Sequence, residues 1–385
     1  MSSICKISAK NEKEKNINFQ FIRTARIDDI RKLKEIKGGR ILLLYDHFCQ
    51  IFDIKTGKEI CIIQGKFEEE YPRYYDNIFY DFIELKNKDL IIWSKGKIFY
   101  YKKSGNYYEI SQVINELKQQ KNQTKLCQIG CVEIYGLYNI IEFENNILLS
   151  CNSIGIKIYN FIEKEYKLVK VISMFLDVEN AIQIRDNNFL IIHHYTYHSG
   201  NCTPITYHKF ALSLFDLKSK KVNKLFYQET EKDRNYRNKC EFNYFLLEDN
   251  FIYQICKFPY DIEDYNRYKK EKVVLSSNFN LYNIKTGNKN LNLKTSFRLI
   301  SYFKDNLIFA QDYQNLHICY YENNTFTSIY KFNFNNSDLC ILKNNDLIIF
   351  GEKKIWKEYE RDNGDVFRSC IETNYYYNYY KNLSK

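Results

Sequence analysis

The amino-acid sequence predicts an all-β chain, folded as a closed β-propeller of seven four-stranded blades. Three observations carry that expectation. A short, continuously apolar segment recurs along the chain. A turn rich in Asp and Asn precedes most copies. The spacing between copies, 40 to 62 residues, suits one four-stranded unit each.

The apolar segments begin at Ile41, Leu90, Ile147, Phe189, Phe251, Leu307 and Leu347. A strand buried on both faces reads as an unbroken apolar run rather than an alternation. These segments are therefore expected as inner strands, the second of each unit, packed between neighbouring sheets. The turns before them include Asn87-Lys88-Asp89, Asp186-Asn187-Asn188 and Asn344-Asn345-Asp346. Asn and Asp tolerate the left-handed backbone that tight hairpins need. The clearest unit has strands at 31–36, 41–44, 49–54 and 59–64, with Lys37-Gly38-Gly39 and Lys55-Thr56-Gly57-Lys58 at two of its turns.

Ahead of that unit, residues 16–27 alternate through Ile17, Phe19 and Phe21 and read as a strand. Paired with the last unit, it would close the ring and remove the open sheet edges. The last unit, 337–372, reads as four strands by itself. The expected organisation is a polar tail at 1–15, the propeller at 16–372 and a tail at 373–385. That last tail contains Tyr375, Tyr376, Tyr377, Tyr379 and Tyr380.

Composition narrows the function classes. Hydrophobic residues make up 45% of the 385, which supplies a core and excludes global disorder. Only 13 Gly and 3 Pro exclude collagen-like and Pro-rich chains. The 35 Tyr and 28 Phe accompany heavy use of Lys, Asn and Ile, residues that share AT-rich codons. The aromatic and basic surplus is therefore no argument for base stacking or nucleic-acid binding. The net charge of +10 allows acidic partners without demanding them. Twelve Cys in a chain this long are not a disulfide framework, and Cys61 and Cys340 sit inside apolar runs. The first residues carry no signal-peptide pattern, and no apolar run approaches about 18 residues. A reducing, cytoplasmic location is expected.

Three segments carry a family resemblance. They are Ile51-Phe52-Asp53-Ile54-Lys55-Thr56-Gly57-Lys58, Leu214-Phe215-Asp216-Leu217-Lys218-Ser219-Lys220 and Leu281-Tyr282-Asn283-Ile284-Lys285-Thr286-Gly287. Each resembles the end of a WD40 repeat, where an aromatic-Asp pair precedes a short turn. The Gly-His and Trp-Asp dipeptides of that family are missing from these copies. The resemblance is thus to the WD40-like propeller superfamily, and it implies a platform for protein assembly without catalysis.

The long segments fall at 65–77, 114–133, 195–207, 229–239 and 257–272. All are connections between second and third strands or links between units, which lie on one side of a propeller. Insertions gathered on one side mark a binding face. Tyr71, Tyr74 and Tyr75 follow the acidic run Glu68-Glu69-Glu70, while Tyr260, Tyr265, Arg267 and Tyr268 flank Asp261 and Asp264. Those seven residues are the expected partner-binding set, because Tyr and Arg anchor protein interfaces. A protein or peptide partner is expected. The alternative is electrostatic binding of RNA or a phosphoinositide membrane surface. Nothing in these mixed-sign loops supports nucleic acid or anionic lipid. A short amphipathic helix is expected at 113–125.

Four His cluster at His193, His194, His198 and His208, with Cys202 among them. Neighbours on a strand point to opposite faces, so His193 and His194 do not share an ion. His194, His198, Cys202 and His208 remain a geometrically allowed metal set, although their spacing matches no zinc pattern. Cys127 and Cys131 lack a second pair at zinc spacing. No nucleophile elbow or phosphate-binding loop is present. The expectation is no catalysis, no cofactor and no metal; the remaining alternative is a metal-dependent enzyme centred on 193–208.

Overall fold

The computed structural model describes residues 19–27, 30–65, 78–94, 96–115, 137–143, 147–152, 155–174, 177–199, 205–231, 238–247, 250–259, 276–284, 289–295, 297–304, 307–312, 315–322, 325–332, 337–360 and 366–382. Every regular element among them is a β-strand. No helix among the described residues is long and apolar enough to cross a membrane. The chain divides into two compact units, one of residues Ile30–Arg234, the other of Met1–Asp29 with Asn235–Lys385.

Strand β1 (Phe19–Ile27) belongs to the second unit. The first unit holds four sheets, each of four antiparallel strands consecutive in sequence. Sheet one contains β2 (Lys32–Ile36), β3 (Arg40–Leu44), β4 (Phe48–Asp53) and β5 (Glu59–Gln64). Sheet two contains β6 (Phe79–Glu84), β7 (Leu90–Ser94), β8 (Lys97–Ser104) and β9 (Tyr107–Asn115). Sheet three contains β10 (Leu137–Phe143), β11 (Ile147–Asn152), β12 (Gly155–Ile162) and β13 (Glu165–Ser173). Sheet four contains β14 (Val178–Arg185), β15 (Asn188–Ser199), β16 (Ile205–Asp216) and β17 (Lys221–Glu231).

The second unit continues the pattern. One sheet contains β18 (Asn238–Leu247), β19 (Asn250–Pro259), β20 (Ser276–Asn283) and β21 (Lys289–Thr295). The next contains β22 (Arg298–Lys304), β23 (Leu307–Gln311), β24 (Leu316–Glu322) and β25 (Thr325–Phe332). The remaining strands are β26 (Ser337–Ile341), β27 (Leu347–Glu360) and β28 (Val366–Asn382), and they form a sheet in the order β1-β28-β27-β26. This is an all-β propeller architecture. Its six consecutive four-stranded sheets are joined by a composite one.

The core is layered between sheets, which explains the apolar runs. All five residues of β3, β7 and β23 are buried. Leu42 and Leu44 of β3 pack with Phe79, Phe82, Leu90, Ile92 and Phe99 of sheet two. On the other face of β7, Ile91 and Trp93 pack with Leu137, Ile140 and Leu148 of sheet three. Fourth strands show the opposite character, with β9 alternating between exposed and partly buried positions until Ile114.

Two hairpin turns carry the same anchored carboxylate. In sheet two, Leu85 N–H donates to Asp89 O (2.8 Å) and Lys88 N–H to Leu85 O (2.9 Å), with Lys88 at φ 74°. The Asp89 carboxylate is buried. Its Oδ2 accepts from the Tyr100 hydroxyl (2.6 Å) and Asn87 Nδ2 (2.7 Å), and its Oδ1 accepts from Lys103 N–H (2.8 Å). The turn before β27 repeats every part. Leu342 N–H donates to Asp346 O, Asn345 has φ 64°, and buried Asp346 accepts from the Tyr379 hydroxyl (2.6 Å), Asn344 Nδ2 (2.7 Å) and Asn382 N–H (2.7 Å). A buried carboxylate is tolerated because donors surround it.

Four sequence expectations need correction. The last unit supplies three strands rather than four, because the segment from 347 to 382 forms two long strands. Its fourth strand is β1, so the N-terminal strand does pair with the last unit. The Tyr-rich stretch from 373 is the second half of β28 rather than a tail, and Tyr375 to Tyr380 pair with β1 from Ile27 to Phe21. Val113 and Ile114 lie in strand β9, not in a helix, and the remainder of that expected helix, 116–125, is outside the described residues. Finally, much of 195–207 is strand, with Tyr195 paired to Lys209 and Ser199 to Ile205. The expected tail at 1–15 also lies outside the described residues.

Candidate functional site

The first strands β2, β6, β10 and β14 are neighbours in succession within the first unit. Three of them start alike. The pairing register slips at Phe79/Asp81, Leu137/Asn139 and Val178/Asn180. Such a bulge adds a residue to one strand and re-aims a side chain. Here it turns Asp81, Asn139 and Asn180 back on the chain, where each Oδ1 accepts the following N–H at 2.8 Å. Phe79, Leu137 and Val178 just before them are buried and set the depth of each strand.

These polar residues bridge neighbouring first strands in two places. Lys34 Nζ lies 2.5 Å from Asp81 Oδ1 and also donates to Phe82 O at 3.2 Å. Lys32 Nζ stands 4.0 Å from Asp81 Oδ2. Asn139 Nδ2 donates to Asn180 Oδ1. The lysines are about half exposed, so such pairs contribute about 0–1 kcal/mol each and mainly fix orientation.

At the same end stand two exposed tyrosines, Tyr80 at 41% and Tyr138 at 42% relative exposure. The Tyr138 hydroxyl donates to Asp177 Oδ2 at 3.1 Å. The turn between β3 and β4 reaches this end too, because Asp46 O accepts the Phe79 N–H at 2.8 Å and the Asp46 carboxylate pairs with Arg31. Next along, Glu179 Oε2 lies 3.5 Å from His194 Nδ1. The surface therefore combines aromatic area with paired charges of both signs, the composition of a protein-binding rim.

The expected partner-binding residues Tyr71, Tyr74, Tyr75, Tyr260, Tyr265, Arg267 and Tyr268 lie outside the described residues, as does Cys202. Segment 66–77 leads directly into β6 and Tyr80, and 116–136 into β10 and Tyr138. Sequence reasoning passed over Tyr80 and Tyr138 because it looked for binding residues only in long connections. The available signal was their repetition in two successive repeats, Phe79-Tyr80-Asp81 and Leu137-Tyr138-Asn139.

The histidines separate as strand geometry requires. His193 is fully buried with Nε2 3.0 Å from Ser213 Oγ, while His194 faces Glu179. His198 pairs with Thr206 and His208 with Thr196 along the β15–β16 hairpin. Among the described residues no three ligand-type side chains converge on a point. Burial raises the Cys151 and Cys319 thiols to about 12 and pushes Cys49 well up, so these sulfurs behave as small apolar groups.

Sequence reasoning also missed a hydrogen-bonded chain in the second unit. His317 Nδ1 lies 2.8 Å from Ser328 Oγ and its Nε2 lies 2.8 Å from Asp312 Oδ2. Asp312 Oδ1 also accepts the Asn315 N–H at 2.6 Å, and Phe297 meets the imidazole edge to face at 5.0 Å. The chain ties the β23–β24 turn to β24 and β25.

No protein-family model matches the chain, and no curated protein matches it in sequence. Solved structures match in three dimensions. A chain of the crystal structure of the mitotic checkpoint complex aligns with 96% of this chain and 100% of its own, at 10% identity and a TM-score of 0.50. The fold is a β-propeller. The Neurospora crassa Pan2 WD40 domain aligns over 95% of this chain and 96% of its own, at 7% identity and a TM-score of 0.48. Kluyveromyces lactis Hsv2 aligns over 94% and 93%, at 11% identity and a TM-score of 0.38. At these identities the likeness concerns the fold alone.

Proposed function

We propose that this WD40-like propeller is a non-catalytic, cytoplasmic scaffold whose sheets close into a seven-bladed ring and whose long-connection side binds a protein or peptide. The observation that carries the reading is the pair of exposed tyrosines, Tyr80 and Tyr138, at the heads of adjacent first strands. Each directly follows a long link, 66–77 or 116–136. A rigid strand holding a tyrosine in the open supplies contact area at low entropic cost. Tyr71, Tyr74 and Tyr75 in the first link add aromatic anchors, and Tyr260, Tyr265, Arg267 and Tyr268 do the same from the segment after β19. Propellers of this class commonly serve as interaction platforms, and a chain of this fold occurs in the mitotic checkpoint complex, a protein assembly.

The test is capture from native lysate by the tagged chain, followed by affinity measurement on whatever protein is retained. Tyr80→Ser with Tyr138→Ser is expected to weaken that affinity at least about tenfold, since interface tyrosines often exceed 1.4 kcal/mol each. Thermal unfolding should stay unchanged, because both side chains are substantially exposed. Full retention of the partner by the double variant would move the binding face elsewhere.

A further inference from the structure

The last strand of each sheet is an edge, and an edge presents a row of N–H and C=O groups that another strand can take. Strand β13 differs from the other described edges in what surrounds that row. Its Leu168 and Val169, 36% and 55% exposed, are the only exposed large apolar side chains adjacent in sequence among the described residues. Lys167 and Lys170 on either side are exposed as well. The cause is a bulge. The β12–β13 register passes from Ile158 opposite Lys170 to Tyr159 opposite Leu168, so Val169 is an extra residue. A bulge often spoils an edge for pairing. This one also leaves two aliphatic side chains standing outside the core.

Part of this edge is already paired with an amide that belongs to no strand backbone. Gln112, on β9 of sheet two, accepts the Tyr166 N–H on Oε1 at 2.7 Å and donates from Nε2 to Tyr166 O at 2.9 Å. These are the two bonds that a strand residue exchanges with its opposite in a hydrogen-bonded antiparallel pair. Tyr166 therefore directs both backbone groups outward, and one carboxamide occupies the place of a fifth strand's first residue. Past Gln112, no strand pairs with this side of β13 among the described residues. Charge limits what can continue the ladder. Lys164, Lys167 and Lys170 stand on this hairpin against Glu163 and Glu165, and Glu163 is taken by Lys167. A second copy of the chain, laid antiparallel with Leu168 opposite Val169, would set Lys167 opposite Lys170 twice. Like charges directly opposite destabilise a ladder. The edge thus disfavours its own copy and favours carboxylates.

We propose that β13 from Leu168 to Ser173 is a docking edge for an acidic, extended peptide of a partner protein, added to sheet three as a fifth strand. Main-chain hydrogen bonds supply the attachment, as in other strand additions. Aliphatic side chains of the peptide cover Leu168 and Val169 and remove them from water. Its carboxylates face Lys167 and Lys170, and that sign selects the partner. The site lies on one sheet edge and does not depend on Tyr80, Tyr138 or the long connections.

The probe is a fluorescein-labelled peptide of alternating Val and Glu, matching the 9 residues of β13 in length. It is titrated with the full chain by fluorescence anisotropy at about 150 mM salt, where distant charges are screened. Two companion peptides carry Lys in place of Glu, or N-methyl groups on all their amides. Saturable binding of the Val/Glu peptide is expected, with slowed hydrogen exchange at β13 amides. Both companions should bind at least about tenfold more weakly. On the protein, Val169→Lys and Lys170→Glu should each raise the dissociation constant about tenfold or more. Both side chains are exposed, so thermal unfolding should not change. Lys58→Glu, exposed at the β4–β5 turn of sheet one, is the charge-matched control and should bind like wild type. No saturation up to about 1 mM peptide overturns the site, as does affinity indifferent to N-methylation or to Lys170→Glu. A dimer in sedimentation that Lys170→Glu strengthens would give the edge to a second copy and overturn the proposal too.

Discussion

At the residue scale the most informative groups are carboxylates that hold turns. Asp89 and Asp346 are legible in the sequence as turn formers, because Asn-x-Asp before an apolar run is hairpin chemistry. Their burial is not legible. It depends on Tyr100 and Tyr379, which arrive from the third strand at distances in sequence that differ widely, 11 and 33 residues. Removing one partner strands the other, so Tyr100→Phe should cost about 1–3 kcal/mol in chemical denaturation, and Asp89→Ala at least as much. Asp53 and Asp216 work differently. Both are half-buried, and N–H groups of Thr56 and Ser219 hold their carboxyls below the usual range. A depressed carboxylate contributes stability above its unfolded pKa of about 3.9 and loses it as pH falls through the folded value. Carboxyl titration followed by NMR should therefore find both midpoints below that of a free Asp. Asp53→Asn should remove its share of the acid dependence while retaining the turn.

At the element scale the second strands were readable because burial on both faces leaves an unbroken apolar run in each. First strands were harder. Their bulges at Asp81, Asn139 and Asn180 interrupt the alternation that identifies a strand, yet those bulges place the candidate binding rim. The β15–β16 and β27–β28 hairpins were misjudged because polar, aromatic strand extensions such as Tyr195 to Ser199 have the composition of a loop. The long connections were readable as insertions from their length, but sequence offered no means of choosing among their tyrosines. One element has no tolerance at all. Gly155 opens β12 at φ 144°, and a Cβ there would stand 2.1 Å from Ile172 O and 2.9 Å from Met174 N, both backbone atoms of the neighbouring strand and its end. Gly155→Ala forces β12 and β13 apart where Gly155 pairs with Ser173. The expected cost is on the order of 3 kcal/mol, read as a lowered denaturation midpoint. A neutral result would mean that the two strands separate there without penalty.

At the scale of the whole molecule, the repeat spacing identified the architecture while the chain ends decided how it is completed. The last repeat contains only β26, β27 and β28, and β28 runs for 17 residues. Without β1 its outer edge would present unpaired N–H and C=O groups, a template for pairing with another chain. Strand β1 covers that edge from Phe19 opposite Asn382 to Ile27 opposite Tyr375. The sheet thus joins residues from opposite ends of the sequence, and its formation must wait for the C-terminal strands. Deleting residues 1–27 should leave a chain that makes its other sheets but associates through β28. Light scattering should show concentration-dependent aggregation, and hydrogen exchange should show lost protection at β28 amides that face β1. A peptide of residues 16–27 added in trans should suppress both effects, because what is missing is a strand rather than a folding signal. If the truncated chain stays monomeric with β28 still protected, the edge is covered by something other than β1, and the terminal pairing is not what completes the sheet.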